Sequence, residues 1–476
     1  MRFNQRENEA RMKRKSKQET EAKRLKGHLD CVNLFAAGVD IGSTSHFVAV
    51  PEELDARAVR EFSCFTRDLI RLADWLVQVG IQTIAMESTG IYWIPIYEIL
   101  EERGLEVLLV NAHHVKNVPG RKSDVQDCQW LQQLHTHGLL RGCFRTPENG
   151  IALRAYVRQR ETLVRKASEP IQHMQKSLRQ MNLLLDNVVT DITGKTGLGI
   201  INAILEGERD PAKLAKLRDG RCKHDEETIA SSLEGHYRKE HLFSLQQSVE
   251  IYNFYQQQIF ACDVAIEEEL ASLESKENQK DTSGIKKKRK NKSSLNFDVH
   301  SELYRLTGVD LTSIDGMNEN SVLKVLAETG TDMSHWPTEK HFSSWLGLSP
   351  NNKITGGKVM SSKTKPTANR AAAAFRMSAY TLHGSNSALG AFYRRQRARL
   401  GAPKAITATA HKLARTFYSM LKNGTEYVDR GKEYYEKQYE DRILKNLKKR
   451  AASLGFQLVR NVDQGEQNKD LTISTS

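Results

Sequence analysis

The first regular pattern along the chain begins at Leu34, where short apolar runs alternate with amphipathic stretches. LFAAGVDIG, HFVAVPEEL, TIAMEST and LEVLLVNA have strand length, and the segments 67–80 and 92–103 between them carry apolar positions at helical spacing. Strands joined by crossover helices predict an α/β domain with a mixed or parallel sheet over residues 33–150. From 151 to 274 the period becomes helical throughout, as in LRAYVRQRETLVRKASEPIQHMQKSLRQMNLLL and EHLFSLQQSVEIYNFYQQQIFACDVAIEEELASLE. This predicts a helical, coiled-coil spacer whose apolar stripes either form a dimer seam or pack on their own domain.

A second, mainly α unit is expected over 300–429. It opens with LTSIDGMNENSVLKVLAETG, passes through the Gly- and Ser-rich WLGLSPNNKITGGKVMSSKTKPTANR, and ends in an Ala- and Arg-rich helical region. Three stretches lack apolar periodicity. Residues 1–32 read as a flexible basic arm, and 275–299, with KENQKDTSGIKKKRKNKSS, as a disordered basic linker. Residues 430–476 read as a charged tail whose last part, DQGEQNKDLTISTS, is expected to be disordered.

At 476 residues the chain can bury two or three cores. Lys and Arg number 71 against 58 Asp and Glu, a formal charge of +13 that favours polyanionic partners. No run approaches the roughly 18 apolar residues of a membrane span, and the polar N-terminal stretch is unlike a secretory signal, so no membrane partner and a cytoplasmic location are expected. Six cysteines, Cys31, Cys64, Cys128, Cys143, Cys222 and Cys262, are too far apart for a CxxC metal pair and too few for a disulfide scaffold. They read as reduced packing residues.

Four acids stand out from the solvated majority. Asp40 ends an apolar run before the Gly-containing turn of GVDIGSTSH, and Glu87 does the same in TIAMESTGIYW. Asp124 and Asp127 follow in RKSDVQDCQWLQQL, three apart and therefore on one face if a helix begins there. Together they make a hard-oxygen donor set suited to Mg²⁺ or Mn²⁺. Taken singly, Asp124 also reads as a helix N-cap and Asp40 as a turn cap.

VDIGSTSH, MESTGIYW, LLVNAHHVKNVPGRKSDVQDCQWL, GLGIINAILEGERDPAKLAKLRD, LEGHYRKEHLFSLQQSVEIYNFYQQQI and WLGLSPNNKITGGKVMSSKTKPTANRAAAAFRMSAY resemble the DEDD transposases of insertion-sequence family one-ten, particularly its eleven-eleven subgroup. The similarity runs over roughly residues 33–425. It implies a RuvC-like domain of RNase H fold, a helical spacer and a C-terminal transposase domain whose serine attacks DNA. It also implies donor and target DNA as substrates, a structured bridge or seek RNA as guide, and a homo-oligomer, dimer or tetramer. The metal ligands carry over as Asp40, Glu87, Asp124 and Asp127. The serine does not: where the family pattern after GLSP places Ser before Gly, this chain has Thr355, whose β-methyl crowds the hydroxyl. Ser361 and Ser362 are nearby hydroxyls off the matching position.

Around Thr355, the glycines and Lys353, Lys358, Lys363 and Lys365 form a loop composition able to meet phosphate, or simply an exposed basic loop. Arg370 extends this character, as do Arg376, Arg394, Arg395, Arg397 and Arg399, and Arg121 and Lys122 stand just before the Asp124 helix. IDGMNENSVLKVLAETG resembles the family's helix-hairpin-helix entry, with Asn318 and Glu319 where more glycine is expected. The expected function is RNA-guided DNA recombination by the four acids and a hydroxyl nucleophile. The alternatives are a metal-dependent junction-resolving nuclease and a catalytically weak RNA-binding relative.

Overall fold

A computed structural model describes residues 31–88, 90–111, 123–276 and 294–458. The chain divides between Arg145 and Thr146 into two compact units. The first is mixed α/β. Strands β1 (Ala36–Ile41), β2 (Ser45–Ala49), β3 (Val59–Ser63), β4 (Thr83–Glu87) and β5 (Glu106–Val110) form one sheet in the order β3-β2-β1-β4-β5. The β1–β2 and β2–β3 pairs are antiparallel, whereas β4 and β5 join β1 in parallel. Helices α1 (Thr66–Gln78), α2 (Trp93–Glu102) and α3 (Asp124–Thr136) complete the unit.

Strand alternation divides this sheet into two differently packed faces. Val39 and Ile41 of β1, Ile84 and Met86 of β4, and Leu109 of β5 join Leu69, Leu72 and Leu76 of α1 and Ile96 and Leu100 of α2 in the main core. On the opposite face, Val110 of β5 packs with Leu131 of α3. There His135 of α3 also shares a 2.9 Å hydrogen bond with Thr83 Oγ1 of β4. β3 was not legible in the sequence. VREFS sets the adjacent charges Arg60 and Glu61 among half-buried positions and has no fully buried residue, as suits an edge strand.

The second unit is mainly helical: α4 (Ile151–Lys166), α5 (Ser168–Gln180), α6 (Lys195–Leu205), α7 (Lys239–Ser272), α8 (Val299–Thr307), α9 (Glu319–Thr329), α10 (Glu339–Trp345), α11 (Arg370–Thr381), α12 (Ala388–Leu400), α13 (Ala402–Asn423) and α14 (Gly431–Ser453), with short helical turns between. Its only sheet among the described residues is the hairpin β6 (Lys353–Thr355) and β7 (Lys358–Ser361).

The segment expected as a coiled-coil spacer buries its apolar positions within its own unit. α7 packs on α4 and α5 and covers Leu245, Val249, Tyr252, Ile266 and Leu270. A buried ion pair between Arg160 and Asp263 ties α4 to α7, and Asp263 also accepts from the Asn296 backbone at 3.2 Å. The charged stretch after residue 429 begins as helix α14, which buries none of its own side chains. It lies on α12 through Phe392 against Tyr435 and through Arg395 over the Tyr439 ring. The expected arm and the polar C-terminus fall almost wholly outside the described residues, as does most of the basic linker. Of the cysteines, Cys128 alone is buried, while Cys31 and Cys143 are exposed and so do not serve as core packing residues. No helix among the described residues is long and apolar enough to cross a membrane.

Candidate active site

The four acids belong to three elements of the first unit. Asp40 is the penultimate residue of β1 and Glu87 the last of β4. The parallel register runs from Ala36↔Thr83 to Val39↔Met86, and its next step sets Asp40 beside Glu87. By alternation both share a face with Gly38, Thr83 and Ala85, the face that α3 covers. On α3, Asp124, Asp127, Cys128, Leu131 and His135 recur at helical spacing, and the last three are buried against the sheet.

Gly38 explains how close the helix comes. A Cβ there would lie 2.3 Å from both Cys128 O and Gln132 N, so only glycine lets α3 rest on the β1 backbone. With the helix seated, its first turn projects past the strand ends, where Asp40 and Glu87 stand. The turn after β1 is equally tight, with Gly42 N donating to Ser45 O at 3.1 Å. After β4, Ser88 N donates to Val110 O at 3.0 Å and holds the Glu87 end of the strand to β5.

Electrostatics show the convergence directly. The Asp40 carboxyl is pushed up to about 6, first by burial and then by the negative charges of Asp127, Asp124 and Glu87 in that order. The Cys128 thiol beside it is pushed up to about 12 by burial and by Asp40. Glu87 is 8 % exposed, Asp40 and Asp127 are half-buried, and Asp124 is exposed. Asp124 does not cap the helix, since Ser123 does so by accepting from Gln126 N. Its carboxylate therefore serves no capping role. Among the described residues no three His, Cys, Asp or Glu side chains enclose a common point tightly enough to hold an ion. The acids meet as a concentrated field of negative charge rather than as a finished cage. The donor set fits a hard divalent cation, which would relieve that repulsion.

Thr355 lies in the second unit, at the end of β6. Gly356 and Gly357, with φ of 55° and 77°, make the two-residue turn that a hairpin of this twist requires. Thr355 pairs directly with Lys358, so hydroxyl and ammonium share a face, and both are exposed. Ser361 sits at the hairpin base, where its Oγ accepts from Lys363 N at 3.4 Å, and Ser362 follows the strand. Lys353, Lys363, Lys365 and Arg370 are all exposed along the same segment.

The remaining candidates separate. Arg394 is held inward by donating to Ser385 O at 2.6 Å and to His383 O, a structural role, whereas Arg397 and Arg399 face solvent. Arg376 is half-buried, and Arg121 and Lys122 lie outside the described residues. Asn318 is no defective glycine: it is the N-cap of α9, accepting from Ser321 N at 2.9 Å. The chain reversal before it is made by Gly316, at φ 82°.

Two family models match these segments. One, described as a transposase of the DEDD type of IS110, spans residues 37–183 and so contains all four acids. The other, the transposase IS116/IS110/IS902 family, spans residues 310–394 and contains Thr355 with the basic hairpin. Over these two segments the chain is similar to IS110-type transposases. A relative, the insertion element IS110 uncharacterized 43.6 kDa protein of Streptomyces coelicolor, is 31% identical over 125 residues, 25% of this chain and 30% of that protein. Less than a third of that relative's length is thus matched. The acid-bearing and hydroxyl-bearing segments fall in different compact units.

Proposed function

We propose that this chain is an RNA-guided DNA transposase in which Asp40, Glu87, Asp124 and Asp127 hold Mg²⁺ or Mn²⁺ and Thr355 supplies the attacking hydroxyl. The observation that carries the reading is the Asp40 carboxyl, raised by three other acids that the fold gathers from two strands and a helix. The strand order, three antiparallel strands continued by two parallel ones, fits an RNase H-like domain.

A divalent cation bound by these carboxylates would polarise the scissile phosphodiester and stabilise the attacking and leaving oxygens. The chain's own residues do the rest. Asp40 and Glu87 present oxygens from rigid strand ends, while Asp124 and Asp127 close over them from the first turn of α3. Thr355 Oγ1 attacks phosphorus and forms a protein–DNA ester as the DNA O–P bond breaks, the threonine proton passing overall to the departing DNA oxygen as a free hydroxyl, which conserves the bond energy for rejoining. Lys358 on the same hairpin face meets the phosphate charge. A guide RNA is supported by the +13 charge and the family resemblance, and a homo-oligomer by the resemblance.

The test is cleavage of element-end DNA with copurified RNA in Mg²⁺. Loss of cleavage in Asp40→Ala, and on EDTA addition, is expected. Full activity in either condition refutes the metal reading, and cleavage without any protein–DNA adduct makes the chain a water-using nuclease instead.

A further inference from the structure

The second unit carries a groove of about 390 Å³ between α4, α9 and α11, lined, Arg370 apart, by residues outside both the acidic site and the basic hairpin segment. Its walls bear three cations, Arg165 from α4, Lys324 from α9 and Arg370 from α11, and one carboxylate, Glu161. Glu161 accepts from Lys324 Nζ at 2.8 Å and from Arg370 at 3.2 Å. Arg165 has no acidic partner within ion-pair distance among the described residues.

The same helix shows what a closed arrangement looks like. Arg158 forks onto both oxygens of Glu328 and Arg154 Nε donates to one of them, all at 2.7–3.1 Å, and Glu328 is 9% exposed. That contact clamps α4 to α9. At the groove, by contrast, a single solvent-accessible carboxylate faces three cations, so the walls keep a surplus of two positive charges. The floor is Ala373 and Ala374, too short to fill the space, and Met377 stands 64% exposed at the rim.

We propose that this groove binds a phosphodiester of the nucleic-acid backbone. A phosphate carries the charge the walls lack, and its two free oxygens reach two walls at once, with Arg165 forking onto one side and Lys324 and Arg370 meeting the other. The alanine floor lets the sugar-phosphate chain approach α11 closely, while Met377 offers an apolar surface to the adjoining sugar or base. Glu161 is the counter-ion that the phosphate displaces. The inference rests on the nucleic-acid reading above and deepens it, adding Arg165, Lys324 and Glu161 to the residues that contact the substrate or guide. DNA and RNA share the phosphodiester, so the probes must tell them apart.

The experiment titrates the full chain with three labelled probes, single-stranded DNA, duplex DNA and a hairpin RNA, and follows anisotropy across a salt series. Arg165→Gln and Lys324→Gln should each weaken at least one probe roughly three- to tenfold and reduce the salt slope by about 0.7 to 0.9. Lys324→Arg should restore binding, Glu161→Gln should tighten it, and Lys340→Gln on α10 should leave it unchanged. The probe that responds identifies the strand held there. Parent-like binding of all three probes by Arg165→Gln and Lys324→Gln, with unchanged melting temperatures, overturns the proposal, and weaker binding by Glu161→Gln overturns its counter-ion role. Mn²⁺ titration of the parent and of Asp40→Asn reads the acidic site separately, so the groove can fail while that reading stands.

Discussion

After burial itself, the charge of Asp127 on α3 does most to hold the Asp40 carboxyl on β1 above its ordinary range. Residues far apart in the sequence therefore share one electrostatic environment, and the folded chain carries a repulsion that the unfolded chain lacks. Sites arranged for binding commonly retain such destabilising contacts.

A pH-dependent stability follows. Asp40 titrates at about 6 when folded against 3.8 ordinarily, so between those values the folded chain holds a proton that the unfolded chain has released. Stability falls as pH rises through that window, and the whole penalty is present above it. In EDTA, Asp40→Asn should melt higher than the parent at pH 7.5, on the order of a few degrees, and should match it near pH 4. Calorimetry showing the same difference at both pH values would contradict the assignment.

Gly38 should tolerate no side chain. Gly38→Ala drives a methyl into the α3 backbone and should cost about 1–3 kcal/mol in urea unfolding. Because α3 must lift, the variant should also bind Mn²⁺ more weakly even where it remains folded. Parent-like stability would mean that the helix is not seated on β1 at this point.

Thr355 keeps the hydroxyl of a nucleophile but adds a β-methyl, and slight misplacement at a reacting oxygen can cost on the order of a hundredfold. Thr355→Ser should speed strand transfer, and Thr355→Ala should abolish the covalent protein–DNA adduct. Mass spectrometry of the DNA-linked peptide decides between residues: a link at Ser361 or Ser362 would remove Thr355 from the mechanism.

The second unit has its own pH signature. His300 Nε2 lies 3.2 Å from Asp310 Oδ1, a contact that raises the imidazole's pKa. Asp310 is held below the ordinary carboxylate range by His300 and Thr312, which outweigh the opposing effect of its burial. The pair stabilises the fold where both groups are charged, above Asp310's lowered pKa and up to His300's raised one. It weakens as pH rises through the His300 value or falls through that of Asp310. The melting-temperature gap between parent and His300→Gln should be widest near pH 5–6 and narrow by pH 8. A gap independent of pH would assign the contact to packing alone.

Local chemistry determined much of this protein. An acid that ends an apolar run before a turn has few places to go except a strand end, which is why Asp40 and Glu87 could be read from VDIG and MEST alone. The three-residue spacing of Asp124 and Asp127 placed them on one helix face, and the apolar periods located β1, β2, β4, β5 and the long helices. Tertiary structure decided what depends on partners distant in sequence. Parallel pairing of β1 with β4 set Asp40 beside Glu87, and the seating of α3 on Gly38 brought in the other two acids, since neither register nor face is encoded within one segment. It also took α7 as a partner for α4 and α5 within their own unit, where an apolar stripe alone fits a dimer seam equally well. Arg165, Lys324 and Arg370 come from three separate helices. Their shared groove exists only once those helices pack, because a charge on a solvated helix face looks the same in sequence as one that lines a site.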